Sequence, residues 1–391
     1  MSLEATLHNH TYDVSAVRKG AVKRNFVFWH SDHPVEDGRR SFRKCDRLVL
    51  GSRRLLRSVL LLGGALSIAA LCRANASVRV VADDARLDAG DRQRVIDEVV
   101  RNLKEHYVDR DVAQKMADAL LAHEKNGDDN ATTDGAAFAG LLTSQIREVS
   151  HDMHLGVVYS QDRLPDHPGA PSPESRANYQ KALERENCTF EAVKILPHSI
   201  GYLKLNSFPD VSFCQSTAVG AMGSLNHANA VIFDLRDNRG GYPEMVMLIA
   251  AYLFDHPEYM YNPRESPTER LWTRSPVAGN RLADKPVYVL ISGTTWSGAE
   301  QFSYDLKMLK RATLVGEKTR GGAHAGVFYR IDDHFGMGIP EVKAVNPFSK
   351  ADWEGVGVEP DVKVKAADAL ETAERLAASR VGIKAGAAGT P

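Results

Sequence analysis

The chain is built around the segment Lys285-Pro-Val-Tyr-Val-Leu-Ile-Ser-Gly-Thr-Thr-Trp-Ser-Gly-Ala-Glu-Gln-Phe-Ser-Tyr-Asp-Leu-Lys-Met-Leu-Lys310. Val287 to Ile291 is a continuous apolar run of the length of a buried strand, and the apolar residues after it recur at helical spacing. This pattern predicts a strand, a sharp turn and a helix. Ser297 stands at the turn, where unpaired backbone N–H groups and the positive end of the helix dipole favour a developing oxyanion. The position suits a nucleophile, but serine is also a preferred N-cap residue, so both interpretations stay open.

A second strand-to-helix connection precedes this segment. Ala230 to Leu235 is an apolar run of strand length, and a helical pattern begins at Met245. The loop between them contains Gly240 and Gly241, which allow positive φ and a close approach of the backbone to a ligand. The loop can therefore aim an amide N–H at the turn described above, although a glycine pair also suits a plain turn.

Upstream of residue 160 the pattern is helical. From Asp91 to Glu148 the apolar residues recur in steps of three and four, in three runs. Asn126-Gly-Asp-Asp-Asn130 supplies the turn between the second and the third run. The next segment contains His151 and His154, but it has no His-Glu-x-x-His pattern and no third ligand. We therefore predict no metal site there.

The remaining patterns divide the chain into domains. Four prolines between residues 161 and 176 indicate a loop or linker. From Cys188 onwards short strands alternate with helices, which predicts an α/β fold. The predicted parts are a leader (1–76), a helical domain (77–160), a linker (161–187), an α/β core (188–375) and a flexible tail (376–391).

Residues 1–76 differ from the rest of the chain in charge. They hold 13 Lys and Arg against 6 Asp and Glu, whereas the other 315 residues hold 36 against 44. Three arginines precede the apolar run Ser58–Leu71, and small residues follow up to Ala76, which is the pattern of a secretory signal peptide at about 48–76. We predict cleavage after Ala76, no stable membrane span afterwards, and a secreted or periplasmic mature chain. The alternative is a buried helix or an uncleaved anchor, and residues 1–47 are interpreted as the product of a start site assigned too far upstream.

Cys188 and Cys214 are the two cysteines that remain after this cleavage. In an oxidising compartment they can form a disulfide, and two buried free thiols are the alternative. Neither cysteine has the spacing of a metal or redox site. The acidic mature chain disfavours nucleic-acid binding, and it has no phosphate-binding loop or metal motif, so no cofactor is expected.

Several ordered motifs resemble those of one enzyme family. They are Ile200-Gly-Tyr-Leu203, Phe233-Asp-Leu-Arg-Asp-Asn-Arg-Gly-Gly241, Ser297-Gly-Ala-Glu-Gln-Phe302, Gly321-Gly-Ala-His324 and Trp353-Glu-Gly-Val-Gly-Val-Glu-Pro-Asp361. Together they are similar to the S41 serine peptidases, the tail-specific and C-terminal-processing proteases, over about Asp91 to Ala373. The resemblance is strongest to the branch that includes the repeats of interphotoreceptor retinoid-binding protein. It implies a ClpP/crotonase-like ββα core with a helical N-terminal domain, and too few residues separate Leu155 and Cys188 for the PDZ domain of many relatives.

The resemblance also implies a set of catalytic residues. Family members of the Ser–Lys type have a lysine in the loop aligned with Thr319 to His324, where this chain has none. The tricorn-like arrangement fits better, and it makes Ser297 the nucleophile, His154 the general base and then acid, and Glu354 the group that orients the imidazole. The rivals for the last two roles are His151 and Glu317.

The same resemblance places an oxyanion hole beside the nucleophile. The amide of Gly298 and that of Gly241 or Gly240 would form it. Met153 departs from the family pattern, since a glycine usually precedes the histidine that corresponds to His154.

These observations predict a secreted or periplasmic serine endopeptidase with a peptide or protein substrate. The alternative is a noncatalytic carrier of retinoid-like or other apolar ligands on the same fold. A carrier does not need a nucleophile, a base and an acid. The joint presence of Ser297, His154 and Glu354 therefore favours the hydrolase.

Overall fold

A computed structural model describes residues 86–164, 173–261, 270–273 and 277–388 of the chain. The helices in these ranges are α1 (Ala89–His106), α2 (Arg110–Asn126), α3 (Gly135–Ser150), α4 (Pro173–Arg185), α5 (Val211–Ser224), α6 (Pro243–Ala251), α7 (Gly298–Met308) and α8 (Ala369–Ala388). The strands are β1 (Gly156–Tyr159), β2 (Phe190–Leu196), β3 (Ile200–Leu205), β4 (Ala230–Asp234), β5 (Tyr259–Tyr261), β6 (Leu271–Trp272), β7 (Val287–Ile291), β8 (Thr313–Gly316), β9 (His324–Arg330), β10 (Phe335–Lys343) and β11 (Val362–Lys363). Within these ranges no helix combines the length and the apolar composition that a membrane span needs. The predicted signal peptide and its cleavage site lie outside the described residues.

Helices α1, α2 and α3 correspond to the three predicted helical runs. Each begins after an aspartate, Asp88, Asp109 or Asp134, whose side chain accepts a backbone N–H of the first turn. The chain leaves α2 through Gly127 at φ 77°, in the predicted turn. The helices bury a common apolar core that includes Val95, Val99, Leu103, Met116, Leu120, Phe138, Leu142 and Ile146.

A three-stranded antiparallel sheet continues that core. Its order is β1-β10-β9, and β1 pairs with β10 so that Val157 lies opposite Met337. Phe335, Met337 and Ile339 of β10 are buried in the same apolar cluster as α1, α2 and α3. A late segment of the chain therefore completes the N-terminal core, which the sequence patterns do not predict.

The α/β core is built on a six-stranded sheet in the order β11-β8-β7-β4-β3-β2. Neighbouring strands from β11 to β3 are parallel, and β2 pairs antiparallel with β3 at one edge. Every residue of β4 and β7 is buried, as expected for strands that are covered on both faces. Residues of α5, α6 and α7 pack on one face and those of α8 on the other. The predicted α/β fold with an N-terminal helical part is confirmed.

The sheet places the loops after β4 and β7 side by side, because neighbouring parallel strands end at the same edge. The Leu235 N–H donates to the Leu290 carbonyl at 3.0 Å, and the Trp296 N–H donates to the Asn238 carbonyl at 3.1 Å. The Thr295 hydroxyl donates to the Leu235 carbonyl at 2.8 Å. These bonds fix the position of the turn that carries the predicted nucleophile.

Two predicted segments are corrected by the structure. The predicted linker, 161–187, contains helix α4, because Pro173 is tolerated as the first residue of a helix and does not interrupt one. The predicted flexible tail, 376–391, begins inside α8, which continues to Ala388. Ala377 is buried against the sheet, so tertiary packing supports the alanine-rich helix there.

Cys188 and Cys214 are joined by a disulfide with an Sγ–Sγ distance of 2.01 Å. Cys188 lies just before β2 and Cys214 in α5, so the bond ties the edge of the sheet to a covering helix. Cys214 is fully buried.

Candidate active site

Ser297 occupies the turn between β7 and α7 in an unusual backbone conformation. Its φ is 53° and its ψ is −121°, a combination that costs a residue with a side chain of order 1–3 kcal/mol. The Ser297 N–H donates to Glu300 Oε2 at 2.8 Å, and the residue is only 6% exposed. Strain of this kind is common where a reactive group must be presented, which goes beyond the role of an N-cap.

His154 faces the Ser297 hydroxyl from the turn between α3 and β1. Its Nε2 lies 3.4 Å from Ser297 Oγ, a long hydrogen bond of the kind that sites without substrate often have. The Trp296 ring stacks on the imidazole, with centroids 4.4 Å apart and planes inclined by 19°. On the same side of the site, a Cβ at Gly322 would approach His154 Cε1 to 2.9 Å. The imidazole is therefore closely confined.

Two carboxylates lie near His154 Nδ1. Asp152 Oδ1 is 3.5 Å away but not aligned for a hydrogen bond. One ligand atom each of Asp152, His154 and Glu354 lies within 4.8 Å of the other two. Among the described residues, His154 Nδ1 and Glu354 Oε1 are both buried without a hydrogen-bond partner. The two atoms are complementary, since a protonated Nδ1 donates and a carboxylate oxygen accepts.

Asp152 is the centre of a buried polar network. Its Oδ1 accepts the backbone N–H of His154 at 2.8 Å, and its Oδ2 accepts the Tyr107 hydroxyl at 3.1 Å and His324 Nδ1 at 2.6 Å. Burial would raise the pKa of Asp152, but the hydrogen bond with His324 and the two nearby imidazoles of His154 and His324 hold that pKa well below its usual value. Burial would likewise lower the pKa of His324, but the carboxylates of Asp152 and Glu354 raise it. The network therefore favours an anionic Asp152 beside a protonated His324.

Glu354 is held in place by backbone amides at the start of β9. Its Oε2 accepts the N–H groups of Ala323 at 2.5 Å and His324 at 3.0 Å. The neighbouring Trp353 donates its indole N–H to the Gly322 carbonyl at 2.9 Å. Burial raises the pKa of Glu354 above its ordinary value. One oxygen is thus fixed by two backbone amides, and the other has no hydrogen-bond partner among the described residues.

Two backbone amides lie together beside Ser297. Gly298 is the first residue of α7, so the helix provides no acceptor for its N–H. A Cβ at Gly298 would lie 3.2 Å from the Gly241 nitrogen, which shows how closely the two loops approach. The pair has the placement of an oxyanion hole.

Of the two glycines in the upstream loop, Gly241 has the free amide. The Gly240 N–H donates to Asn238 Oδ1 at 2.8 Å. Phe208 makes two backbone hydrogen bonds, one to each neighbour of Gly241. Its N–H donates to the Gly240 carbonyl, and its carbonyl accepts the Tyr242 N–H, each at 2.7 Å. This bridge leaves the Gly241 N–H directed away from Phe208, and it has no acceptor in the part of the chain that is described.

The rival residues lie outside this cluster. His151 is exposed and ends α3 at φ 56°. Glu317 is also exposed, and its Oε1 accepts the Ala366 N–H at 3.1 Å. Within the described ranges neither side chain is bonded to Ser297 or His154.

Four residues of the site are missing from the sequence-based set: Tyr107, Asp152, Glu300 and His324. Glu300 and His324 stand in the motifs that carry the family resemblance, and Asp152 stands two residues before His154. An acid three residues after a serine, as at Glu300, is also a capping-box signature. Tyr107 gives no such signal, because it follows a helix far from the motifs in sequence. Its role depends on a tertiary contact.

The cluster of Asp152, His154 and Glu354 also offers ligands of the types that Zn²⁺ accepts. An ion bound there would compete for the imidazole that faces Ser297. Proton transfer from the Ser297 hydroxyl to the His154 imidazole needs no ion. The arrangement as described suits nucleophilic acyl transfer.

A family model, Peptidase family S41, matches residues 199–364. The match extends from β3 to β11 and includes Ser297 and Glu354. His154 lies before it, in the part of the molecule formed by α3 and β1.

The chain is similar to several known proteins. It is 28% identical over 167 residues to the carboxyl-terminal-processing protease of Synechocystis sp. and 30% identical over 165 residues to carboxyl-terminal-processing peptidase 2, chloroplastic, of Arabidopsis thaliana. These alignments cover 43% and 41% of this chain but only 38% and 31% of the two relatives, so the chain spans about a third of their length. A crystal structure of a protein from Parabacteroides merdae matches 73% of this chain and 96% of its own at a TM-score of 0.52 and 18% identity, which is a likeness of fold alone.

Proposed function

Because residues 199–364 match the model of peptidase family S41, we propose that the chain is a serine endopeptidase of that family with the triad Ser297, His154 and Glu354. The observation that carries the proposal is the 3.4 Å separation of Ser297 Oγ and His154 Nε2 at a strained turn. A nucleophile and a base within reach of one hydrogen bond are what acyl transfer requires. The two residues are 143 positions apart, so local structure alone does not explain their contact.

In the first step of the proposed reaction Ser297 Oγ attacks the carbonyl carbon of the scissile bond while His154 Nε2 takes the hydroxyl proton. The amides of Gly298 and Gly241 donate to the carbonyl oxygen as it becomes negative, and loss of one such donor typically costs about 10²–10³-fold in rate. His154 then protonates the leaving amine, and the acyl group stays on Ser297. Water then attacks the acyl group in the same way, with His154 again taking the proton, and the carboxylic acid product leaves Ser297.

Glu354 is proposed to orient His154 and to stabilise its charged form. The unpaired Oε1 is the oxygen available to Nδ1, since backbone amides hold Oε2. The second carboxylate, that of Asp152, adds negative charge at 3.5 Å from Nδ1. An opposite charge at this distance favours the imidazolium that forms during attack.

We infer a peptide or protein substrate and a secreted or periplasmic location. The location is supported by the signal-peptide pattern at about 48–76 and by the disulfide between Cys188 and Cys214, a bond that persists in oxidising compartments. The interval from β1 to α4, residues 160–172, is too short for a PDZ domain, so capture of a free C-terminus by such a module is not proposed. The apolar-carrier alternative is not retained, because no feature of the described residues favours it.

Covalent labelling with a fluorophosphonate probe tests the proposal. The wild-type protein should be labelled, and Ser297→Ala should not. Ser224→Ala is the matched control, because Ser224 is exposed on α5 and bonds only within its helix, to the Gly220 carbonyl. An unlabelled wild type, or labelling that is undiminished in Ser297→Ala, would refute the assignment.

A further inference from the structure

The guanidinium of Arg147 joins two backbone carbonyls beside the proposed catalytic histidine. Arg147 lies in the last turn of α3 and is half-buried. Its Nε donates to the Leu155 carbonyl at 2.7 Å, and its Nη2 donates to the Met153 carbonyl at 2.9 Å. These residues flank His154, so one side chain fixes the backbone on both sides of the imidazole.

Few other bonds hold this turn. Asp152 Oδ1 accepts the His154 N–H at 2.8 Å, and the Leu155 N–H reaches the Asp152 carbonyl only at 3.4 Å. Further along, Thr143 of α3 accepts the Val157 N–H at 2.8 Å and so ties β1 to the same helix. Within the described residues, the side chains that bond the backbone from Met153 to Leu155 are one carboxylate of the same segment and one guanidinium of α3.

Arginine has the geometry for this bridge, and lysine does not. The guanidinium is a rigid planar fork with several donors, whereas an ammonium is a single point at the end of a flexible stem. Burial lowers the pKa of Arg147, and the negative charge of Asp152 opposes that effect. Loss of the side chain would leave two carbonyls without their donors and would release the turn.

We propose that Arg147 is a positioning residue: it sets the place of His154 relative to Ser297 and does not touch the substrate. The inference rests on the proposed function. The distance between His154 Nε2 and Ser297 Oγ, 3.4 Å, is already at the long end for proton transfer. A misplacement of about 1 Å by a change far from the chemistry can cost about 100-fold in rate. Helix α3 therefore contributes to catalysis through the backbone of the turn.

Steady-state kinetics of Arg147→Ala and Arg147→Lys on a peptide substrate test this role. We expect kcat of Arg147→Ala to fall about 10–100-fold while KM changes less than about threefold, because the lost contact is not with substrate. Arg147→Lys should recover part of kcat, since one carbonyl can still be bonded. Added ethylguanidinium should restore part of the rate of Arg147→Ala by binding in the vacated space. Arg101→Ala, which removes an exposed arginine paired with Glu98 and Glu105 on α1, should leave kcat unchanged.

A second measurement does not depend on turnover. The ring signals of His154 in a ¹H–¹³C spectrum can be identified by their loss in His154→Gln. These signals should shift in Arg147→Ala, whereas those of the exposed His256 should not. Arg147→Lys serves for the comparison if Arg147→Ala does not fold.

The outcomes separate this inference from the proposed function. Unchanged kcat and unchanged His154 signals in a folded variant, with only a lower melting temperature, would overturn the positioning role. If the wild type is not labelled at Ser297, the proposed function fails. The shift of the His154 signals in the Arg147 variants then still decides whether Arg147 positions that side chain.

Discussion

Glu300 joins the turn that carries Ser297 to the loop after β8. Its carboxylate accepts four hydrogen bonds, from the N–H groups of Ser297 (2.8 Å), Gly321 (2.6 Å) and Gly322 (2.8 Å) and from the Thr319 hydroxyl (2.5 Å). The side chain is fully buried, and burial raises the pKa of Glu300 to about 7, although the four bonds act in the opposite direction. One acid thus holds the backbone of Ser297 against the loop that confines the His154 imidazole.

The raised pKa of Glu300 predicts a stability that depends on pH. Between its ordinary value of 4.5 and about 7, the folded protein keeps a proton that the unfolded chain has released. The folded state binds more protons in that window, so the free energy of unfolding should fall as pH rises, by at most about 3 kcal/mol. Denaturant unfolding between pH 5 and 8 measures this slope, and Glu300→Gln should flatten it. Burial also raises the pKa of Asp305, but that group is present in both proteins. Parallel curves for the two proteins would contradict the prediction.

Glu354 and Asp152 are expected to differ in what their loss affects. Glu354→Gln should lower kcat by about 10²–10⁴-fold, because the proposed orienting acceptor for His154 is lost. Asp152→Asn should lower the free energy of unfolding by more than about 2 kcal/mol, because a buried carboxylate with three donors is replaced. Hydrolysis rates and thermal unfolding of both variants check this division. Full activity in Glu354→Gln would contradict the role proposed for Glu354 and would indicate that Asp152 orients His154.

At the level of elements, the loop from β4 to α6 requires a glycine next to Phe208. Gly241 has φ 136°, and a Cβ there would lie 2.1 Å from the Phe208 carbonyl oxygen. Gly241→Ala should therefore lower the free energy of unfolding by about 1–3 kcal/mol and kcat by at least about 10²-fold. Urea unfolding and kinetics measure the two effects.

Gly220→Ala is the matched control for this loop. Gly220 lies within helix α5, and nothing lies within 4 Å of a Cβ added there. The substitution should raise the free energy of unfolding by about 0.5–1 kcal/mol with kcat unchanged. Equal losses of activity in Gly220→Ala and Gly241→Ala would count against the oxyanion role of the loop.

Sequence patterns predict the helices and strands in which apolar residues form a continuous run or recur at a fixed spacing. The uniform apolar runs of β4 and β7 and the periodic runs of α1, α2 and α3 are examples. Strand β10 is not predicted, because Gly336, Gly338 and Pro340 interrupt its apolar residues and imitate a turn. The structure gives the reason at one of these positions: a Cβ at Gly336 would lie 2.2 Å from the Phe328 ring.

The sequence predicts which residues form the candidate site, but it does not predict the hydrogen bonds between them. Motifs select Ser297, His154 and Glu354, and the structure brings them into one cluster. Which carboxylate accepts from His154 Nδ1 depends on the positions of the Asp152 and Glu354 side chains, and a sequence motif does not specify these positions. The contacts of Arg147 cannot be predicted from the sequence either. Its partners are backbone carbonyls, which every residue has.

For the molecule as a whole, the disulfide is expected to be a major source of stability. Cys188 and Cys214 are 26 residues apart, and closing a loop of that length stabilises a folded chain by about 3–4 kcal/mol in the chain-entropy account. A reducing agent should therefore lower the melting temperature of the wild type. The double variant Cys188→Ala/Cys214→Ala should melt at that lower temperature with or without reductant. A reductant effect of the same size in the double variant would exclude this bond as its source.

The pairing of β1 with β10 makes the proposed enzyme late to mature during its own synthesis. His154 is translated early and Ser297 well after it, but β10, the strand that holds the early segment in place, emerges from the ribosome only after both. Glu354 follows later still. A nascent chain therefore carries the proposed nucleophile without an aligned base, and we expect it to be inactive towards its own backbone until its last third has folded.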